Sequence, residues 1–433
     1  AYEIKECDWS SDVCSSDLAI TSTLPDHPQL QAARAAGLPL ISLQQVIADA
    51  AATRGGPLLG VAGTHGKTTS TGWLLAAMRA SGRDPSAFVG GPLPEGEGSP
   101  AGAPVHLGSE PGFIVEADEY GGNFDPYAAD GALILNADWD HPDVFADRAA
   151  VVRAFADWAI PVLGRGPVVV NVADLGGSEV AAVLGQRGGE NLITYALRAR
   201  GGAPERHDAN AEVTAELVEA GGGRVALRNL TLSAKASSIA PAAAGLVGAD
   251  LSLGLLGVHN AANALAAAAL CHAIEVDDAS IVKALRNYKG LPHRVEKIAV
   301  IDGVTWYDDS KGTNVGSTVA ALNGFTQPVV LICGGEGKGQ DFSPLREPVR
   351  NHARAVVLIG RDREQIARSI EGAGVDIQRA ASMEEAVKLA RAASRKGDVV
   401  LLSPACASFD MFRNYGHRGE VFATAVKAQV SHD

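Results

Sequence analysis

The run LLGVAGTHGKTTSTGWLLAAM, residues Leu58–Met78, carries the strongest fold signal in the chain. Apolar β-type residues lead to Gly63, a glycine-bracketed turn follows, and helical spacing opens at Thr68. Strand, turn and helix start, in that order, present backbone N–H groups and the positive end of a helix to an anion. Lys67 adds a mobile cation, and the Thr68 hydroxyl is placed to ligate Mg²⁺ on nucleotide phosphates. The general phosphate loop G-x-x-x-x-G-K-[ST] needs glycine at 61, where this chain has Val61, and Gly60 misses by one residue. Two readings stand at this point: a nucleotide phosphate loop of altered spacing, and a glycine-rich turn with no ligand.

Outward from the loop, apolar β-type runs alternate with helical patterns, the signature of a sheet covered on both faces. Strands are expected at 57–63, 112–118, 132–138 and 167–174, with helices over Thr68–Ser81 and Asp147–Ala159. Residues 201–250 read as strand, glycine turn, strand, an antiparallel insertion. GVHNAANALAAAALCHAI (257–274) places small apolar residues at helical spacing behind Asn260. After GLPHR (290–294) a second alternating set begins, with strands near 304–310, 328–335, 355–360 and 399–405. The chain is therefore expected to be α/β: a central, mostly parallel, phosphate-loop domain over 56–290 and a Rossmann-like domain over 291–433.

A chain of 433 residues is long enough for two or three domains. Apolar residues make up 46% and charged residues 20%, and no run is long enough for a membrane span. A formal charge of −13 opposes broad binding to nucleic acid or anionic lipid, so a phosphate ligand must be held locally. Five unpatterned cysteines and the lack of a basic-then-apolar leader fit a reducing cytoplasm. CDWSSDVCSSDL (7–18) has the texture of either translated adapter sequence or a disordered tail, and residues 1–18 are assigned no function.

Two further strand ends converge on the loop. FIVEADEY (113–120) puts Glu116 and Asp118 on one face at the carboxyl end of a strand, with Glu119 starting the next turn. LILNADWDHPD (133–143) offers Asn136, Asp138, Asp140 and His141. In a parallel sheet these ends lie on the loop's side, so a hard cation can bridge Glu116 and a nucleotide oxygen, with His141 available for a second. Each acid taken alone reads rather as a helix cap or a solvated loop residue, and it is their joint placement that favours the functional reading.

At this point the chain resembles the Mur ligases. That family's loop, Gly-Thr-X-Gly-Lys-[Ser/Thr], is matched in full by GTHGKT (63–68), which accounts for the missing glycine at 61. VEADEY (115–120), NADWDHPD (136–143), GVHNAANALAA (257–267) and LPHRVE (291–296) agree as well. WYDDSKGTNVGSTVAALNGF (306–325), LICGGEGKGQDFSPL (331–345) and LLSPACASFDMFRNYGHRGEVF (401–422) resemble the D-glutamate-adding branch. GTHGKTT and EADEY are more typical of the L-alanine-adding branch, and the residues do not separate D- from L-glutamate.

The resemblance implies that ATP phosphorylates the carboxylate of UDP-N-acetylmuramoyl-L-alanine and that an incoming amino acid attacks the acyl phosphate. It implies that Gly63, Thr64, Gly66, Lys67, Thr68 and Thr69 hold the phosphates, with Asn260 and Asn263 toward adenine or nearby backbone, Arg294 on phosphate and Asp309 on ribose. Thr68 and Glu116 would hold Mg²⁺, His141 would ligate or orient a second Mg²⁺ beside the acyl phosphate, and Lys67, Glu116, His141 and Lys311 would form the catalytic set. Lys311, Thr313, Lys338, Ser408, Phe409 and Tyr415 would bind the amino acid. A monomer is expected. Related ligases use a carbamylated lysine beyond the histidine, but VVRAFADWAI (151–160) has no lysine to supply that second-metal ligand. Residues 19–55 read as a remnant of the family's N-terminal UDP-binding domain, so ATP is expected to bind well and the UDP substrate poorly.

Overall fold

The computed structural model describes residues 28–37, 40–93, 98–99, 103–139, 141, 144–199, 210–219, 224–232, 246, 251–337 and 339–429. The 1–18 segment lies outside them. The chain divides into two compact units, one ending at Gly290 and the other beginning at Leu291.

The first unit opens with α1 (Pro28–Ala35) and α2 (Leu43–Arg54), then β1 (Leu58–Ala62) and α3 (Lys67–Ala80). There follow β2 (Ser86–Phe88), β3 (Val105–His106), β4 (Phe113–Glu116), β5 (Gly131–Ile134), α4 (Arg148–Leu163), β6 (Val168–Asn171), α5 (Leu175–Gly185) and β7 (Leu192–Ala199). The unit closes with β8 (Val213–Glu219), β9 (Arg224–Leu232), β10 (Leu251–Leu256), α6 (Val258–Ala273) and α7 (Asp278–Asn287). Among the described residues these strands form one sheet in the order β10-β9-β8-β7-β6-β5-β1-β4-β2-β3. β1 lies near its middle, in parallel register with β4 on one side and β5 on the other. Runs such as LLGVA and VVVN are apolar at nearly every position because a parallel sheet is covered on both faces.

The expected strands and helices form, with shifted ends. The helix over 148–163 runs past its expected end at Ala159 and carries Pro161 near its last turn; the Asp147 carboxylate caps its start by accepting from Ala150 N–H. Within 201–250 the expected antiparallel strand pair forms among the described residues, as β8 and β9. β8 also pairs in parallel with β7 and so extends the central sheet. The helix α2 buries Ile47 and Ala51 in the same apolar cluster as Leu58 and Phe113, so this segment packs into the first unit's own core.

In the second unit, β11 (Glu296–Ile301), β12 (Val304–Asp308), α8 (Val315–Asn323), β13 (Val329–Gly334), α9 (Arg346–His352) and β14 (Ala353–Ile359) lead to α10 (Arg363–Ser369) and β15 (Asp376–Arg379). The unit ends with α11 (Met383–Ala393), β16 (Val399–Leu402) and α12 (Tyr415–Ala428). The sheet order is β11-β12-β16-β13-β14-β15, parallel except for the β11 edge. The sequence reading omitted β11 and β15, edge strands whose polar residues (EKIAVI and DIQR) break the continuous apolar signal.

Gly60, the glycine that sits one residue from the general motif, belongs to the core. A Cβ built there would lie 2.8 Å from the Trp158 ring, so the indole of α4 packs directly on the backbone of β1. Gly60→Ala should therefore cost about 1–3 kcal/mol through overpacking. A lower urea midpoint with an unchanged slope would show this, whereas an unchanged midpoint would mean that the indole moves aside freely.

Candidate functional site

Two glycines shape the turn after β1. Gly63 has φ +139° and Gly66, the residue preceding α3, has φ +84°. A side chain at Gly63 would start 2.9 Å from the Leu135 Cβ, and one at Gly66 would start 2.6 Å from Asn263 Oδ1. Both positions thus need glycine for backbone angle and for space. The turn is tied to the chain beyond β5. His65 N–H donates to Asn136 Oδ1 (2.7 Å), Asn136 Nδ2 donates back to His65 O (3.1 Å), and Thr64 Oγ1 donates to Asp138 O (3.1 Å). Asn136 is therefore a brace for the loop backbone. Asn260 and Asn263 are both buried on α6, and Asn263 reaches the loop through Gly66.

The acidic residues divide between the hydroxyl and the lysine. Thr68 Oγ1 donates to Glu116 Oε1 (3.1 Å), and Gly90 N–H donates to the other carboxylate oxygen (2.6 Å). A Cβ at Gly90 would meet that carboxylate at 2.5 Å, so a larger residue there would push the Glu116 side chain away. Lys67 Nζ lies 2.8 Å from Glu119 Oε2 and 3.3 Å from Asp118 Oδ1. Burial acting alone would lower the Lys67 pKa, but Glu119, Asp118 and Glu116 outweigh it and hold it above the ordinary lysine value. Burial pushes Glu119 up despite Lys67, and Asp118 adds to the rise. Thr69 follows in the first turn of α3. His141 is half-buried with φ +54°, and its ring packs edge-on against Tyr120 at 4.8 Å between centroids.

Hard oxygen donors on Thr68 and Glu116, already 3.1 Å apart beside a helix start, suit a hard divalent cation. Another trio of potential ligand atoms, from His293, Glu296 and Asp308, lies within 4.8 Å in the second unit. These groups satisfy one another: His293 Nδ1 is 2.7 Å from Asp308 Oδ2, and His293 N–H donates to Glu296 Oε2. Burial alone would lower the His293 pKa, but Asp308, Glu296 and Glu420 raise it above the ordinary value.

Arg294 sits between two residues in the left-handed region, His293 (φ +63°) and Val295 (φ +47°), the latter β-branched and strained there. The strand-end loop after β12 and the loop after β16 are joined by Arg418, a fully buried arginine. Its guanidinium donates to Ser310 Oγ, Ser310 O and Cys406 O. Around this strut stand Lys311, whose ammonium is 4.3 Å from the Tyr415 ring centre, Thr313, and buried Ser408, whose carbonyl accepts from Met411 and Phe412. Phe409 is 42% exposed. Lys338 lies outside the described residues. Asp309 is buried beneath this loop, its Oδ2 2.7 Å from Ser403 Oγ, and burial pushes its pKa up to about 7.

Sequence reasoning missed Glu119 and Asp118 as the partners of Lys67, Gly90 as the holder of Glu116, and Arg418 as the strut. The adjacent acids in EADE were a usable signal. The other two were not, because a glycine and an arginine gain these roles only through folding.

The chain belongs to the Mur ligase family: residues 61–271 match the Mur ligase middle domain and residues 293–406 the Mur ligase glutamate ligase domain. It is 39% identical over 430 residues to the UDP-N-acetylmuramoylalanine--D-glutamate ligase of Nitrosospira multiformis, covering 95% of this chain and 82% of that protein. The enzyme of the same name from Methylobacillus flagellatus is 40% identical over 404 residues, 92% of this chain and 80% of that one. That of Nitrosomonas eutropha is 61% identical over 175 residues, 40% of this chain and 37% of that one. The fold is similar to that of UDP-N-acetylmuramate-alanine ligase MurC from Thermotoga maritima, with TM-score 0.69 at 19% identity over 93% of this chain and 83% of that one. It is also similar to MurF from Acinetobacter baumannii, with TM-score 0.63 at 17% identity over 90% and 82%.

The buried Asp309 gives a signed pH prediction. An unfolded aspartate titrates near about 4, whereas the folded one binds its proton up to about pH 7. The folded state thus holds more protons between those values, and its stability falls as pH rises through them. Asp309→Asn removes this dependence, so the variant should gain stability relative to the parent between pH 5 and pH 8 in chemical denaturation. A constant difference across that range would contradict the raised pKa.

Proposed function

We propose that this chain is an ATP-dependent, carbon–nitrogen-bond-forming ligase that adds D-glutamate to UDP-N-acetylmuramoyl-L-alanine, acting in the cytoplasm on the peptidoglycan precursor. The observation that carries the reading is the Thr68 hydroxyl set against the Glu116 carboxylate at the mouth of the glycine turn. The relatives' printed activity supports the choice of amino acid, and their similarity spans most of the chain.

A carboxylate is a poor electrophile, so amide formation needs activation. The terminal carboxylate oxygen takes the γ-phosphoryl group of ATP, ADP leaves, and the amine of D-glutamate attacks the resulting acyl carbon. Phosphate departs as the amide forms and the amine gives up a proton. The amides of Gly63–Thr68 and the Lys67 ammonium hold the phosphates as charge spreads over the transferred group. Thr68 and Glu116 would hold Mg²⁺, and His141 would ligate or orient a second one; bound metal would offset that charge. Gly90 fixes Glu116 by its N–H, and Asn136 fixes the loop backbone. Arg294 and Asp309 serve the nucleotide. Lys311 and Lys338 neutralise the carboxylates of the incoming amino acid, with Thr313, Ser408, Phe409 and Tyr415 shaping its pocket.

Phosphate release from ATP and UDP-N-acetylmuramoyl-L-alanine should be fastest with D-glutamate. Equal or faster release with L-glutamate, or with L-alanine and UDP-N-acetylmuramate, would overturn the substrate choice. Lys67→Ala should lower turnover by a factor of about 10² or more; turnover within twofold of the parent would remove the loop lysine from the reaction.

A further inference from the structure

We infer that Glu119, assisted by Asp118, is a counter-anion that Lys67 must exchange for the nucleotide phosphates, so that this pair sets the affinity for ATP. The inference rests on the ATP-site reading above and concerns how that site is held before nucleotide arrives.

Three observations lead to it. Lys67, the lysine of the phosphate loop, is committed to carboxylates on the segment after β4 at 2.8 and 3.3 Å, and its side chain is 12% exposed. Glu119 is 3% exposed, and Lys67 is the cation it faces. Asp118 is less dependent on that cation, being more exposed and also accepting from Asn123 Nδ2 at 3.0 Å. A phosphate drawing on the Lys67 donors therefore competes with a desolvated ion pair. Weakening that pair leaves a carboxylate buried with its compensation reduced, and such a charge is costly in a low-dielectric setting. The cost falls on the ligand-bound state and lowers nucleotide affinity.

The two acids differ in a testable way. Glu119→Gln keeps the shape and a hydrogen-bonding oxygen toward Lys67 while removing the charge. Asp118→Asn removes the weaker half of the clamp, from a group with a second partner. Asp125→Asn removes equal charge from the same loop, where the Asp125 carboxylate lies beside Gly122.

Calorimetric titration of the full chain with Mg·ATP, without the second substrate, tests the inference by affinity alone. Glu119→Gln should tighten binding by about fivefold or more, Asp118→Asn by a smaller factor, and Asp125→Asn should leave it unchanged. Unchanged or weaker binding by a folded Glu119→Gln protein would overturn the inference, as would equal tightening by Asp125→Asn, which would reflect charge in general. Should Glu119→Gln fail to fold, Asp118→Asn decides: tighter binding supports the exchange and unchanged binding overturns it. Absence of nucleotide binding in the parent and every variant would instead refute the ATP-site reading.

Discussion

The turn between β1 and α3 can present its N–H groups to an anion only because the backbone passes where side chains would collide. At Gly63 the obstacle is Leu135, at Gly66 it is Asn263, and both residues need positive φ. The other parts of the first unit's site are arranged around that path. Asn136 closes two hydrogen bonds on His65, the start of α3 carries Lys67 and Thr68, and β4 delivers Glu116 opposite the hydroxyl. Parallel pairing of β1 with β4 and β5 makes this possible, since it brings three carboxyl ends to one edge.

Charge in this region is arranged in close pairs. Three carboxylates, Glu116, Asp118 and Glu119, stand near one lysine, and each has a defined partner: Thr68 and Gly90 for Glu116, Lys67 and Asn123 for Asp118, Lys67 for Glu119. In the second unit, buried charge is used to join loops. Arg418 spans the segments that follow β12 and β16, and His293 is locked to Asp308 beside the strained Arg294 segment.

The sheet and the loop were legible because their signals are local. A continuous apolar strand, a Gly-x-x-Gly-Lys-Thr turn and an amphipathic helix need no distant partner to be recognised. Gly60 was the misleading residue, since its closeness to the general motif hid a role under Trp158 that only packing reveals. Edge strands β11 and β15 were lost for a different reason, as a half-exposed strand lacks the apolar run that marks a central one. The candidate site was legible where residue type and local motif mark it, as with Lys67, Thr68 and Glu116. It was not readable where backbone or burial does, as with Gly90, Arg418 and the interior placement of Asp309.

A crystal structure with a non-hydrolysable ATP analogue and Mg²⁺ tests the phosphate-loop assignment most directly. The analogue's terminal phosphates should lie against the amides of Gly63–Thr68 and the Lys67 ammonium, with a cation on Thr68 and Glu116. A nucleotide bound elsewhere, with the Thr68–Glu116 and Lys67–Glu119 contacts intact, would contradict it.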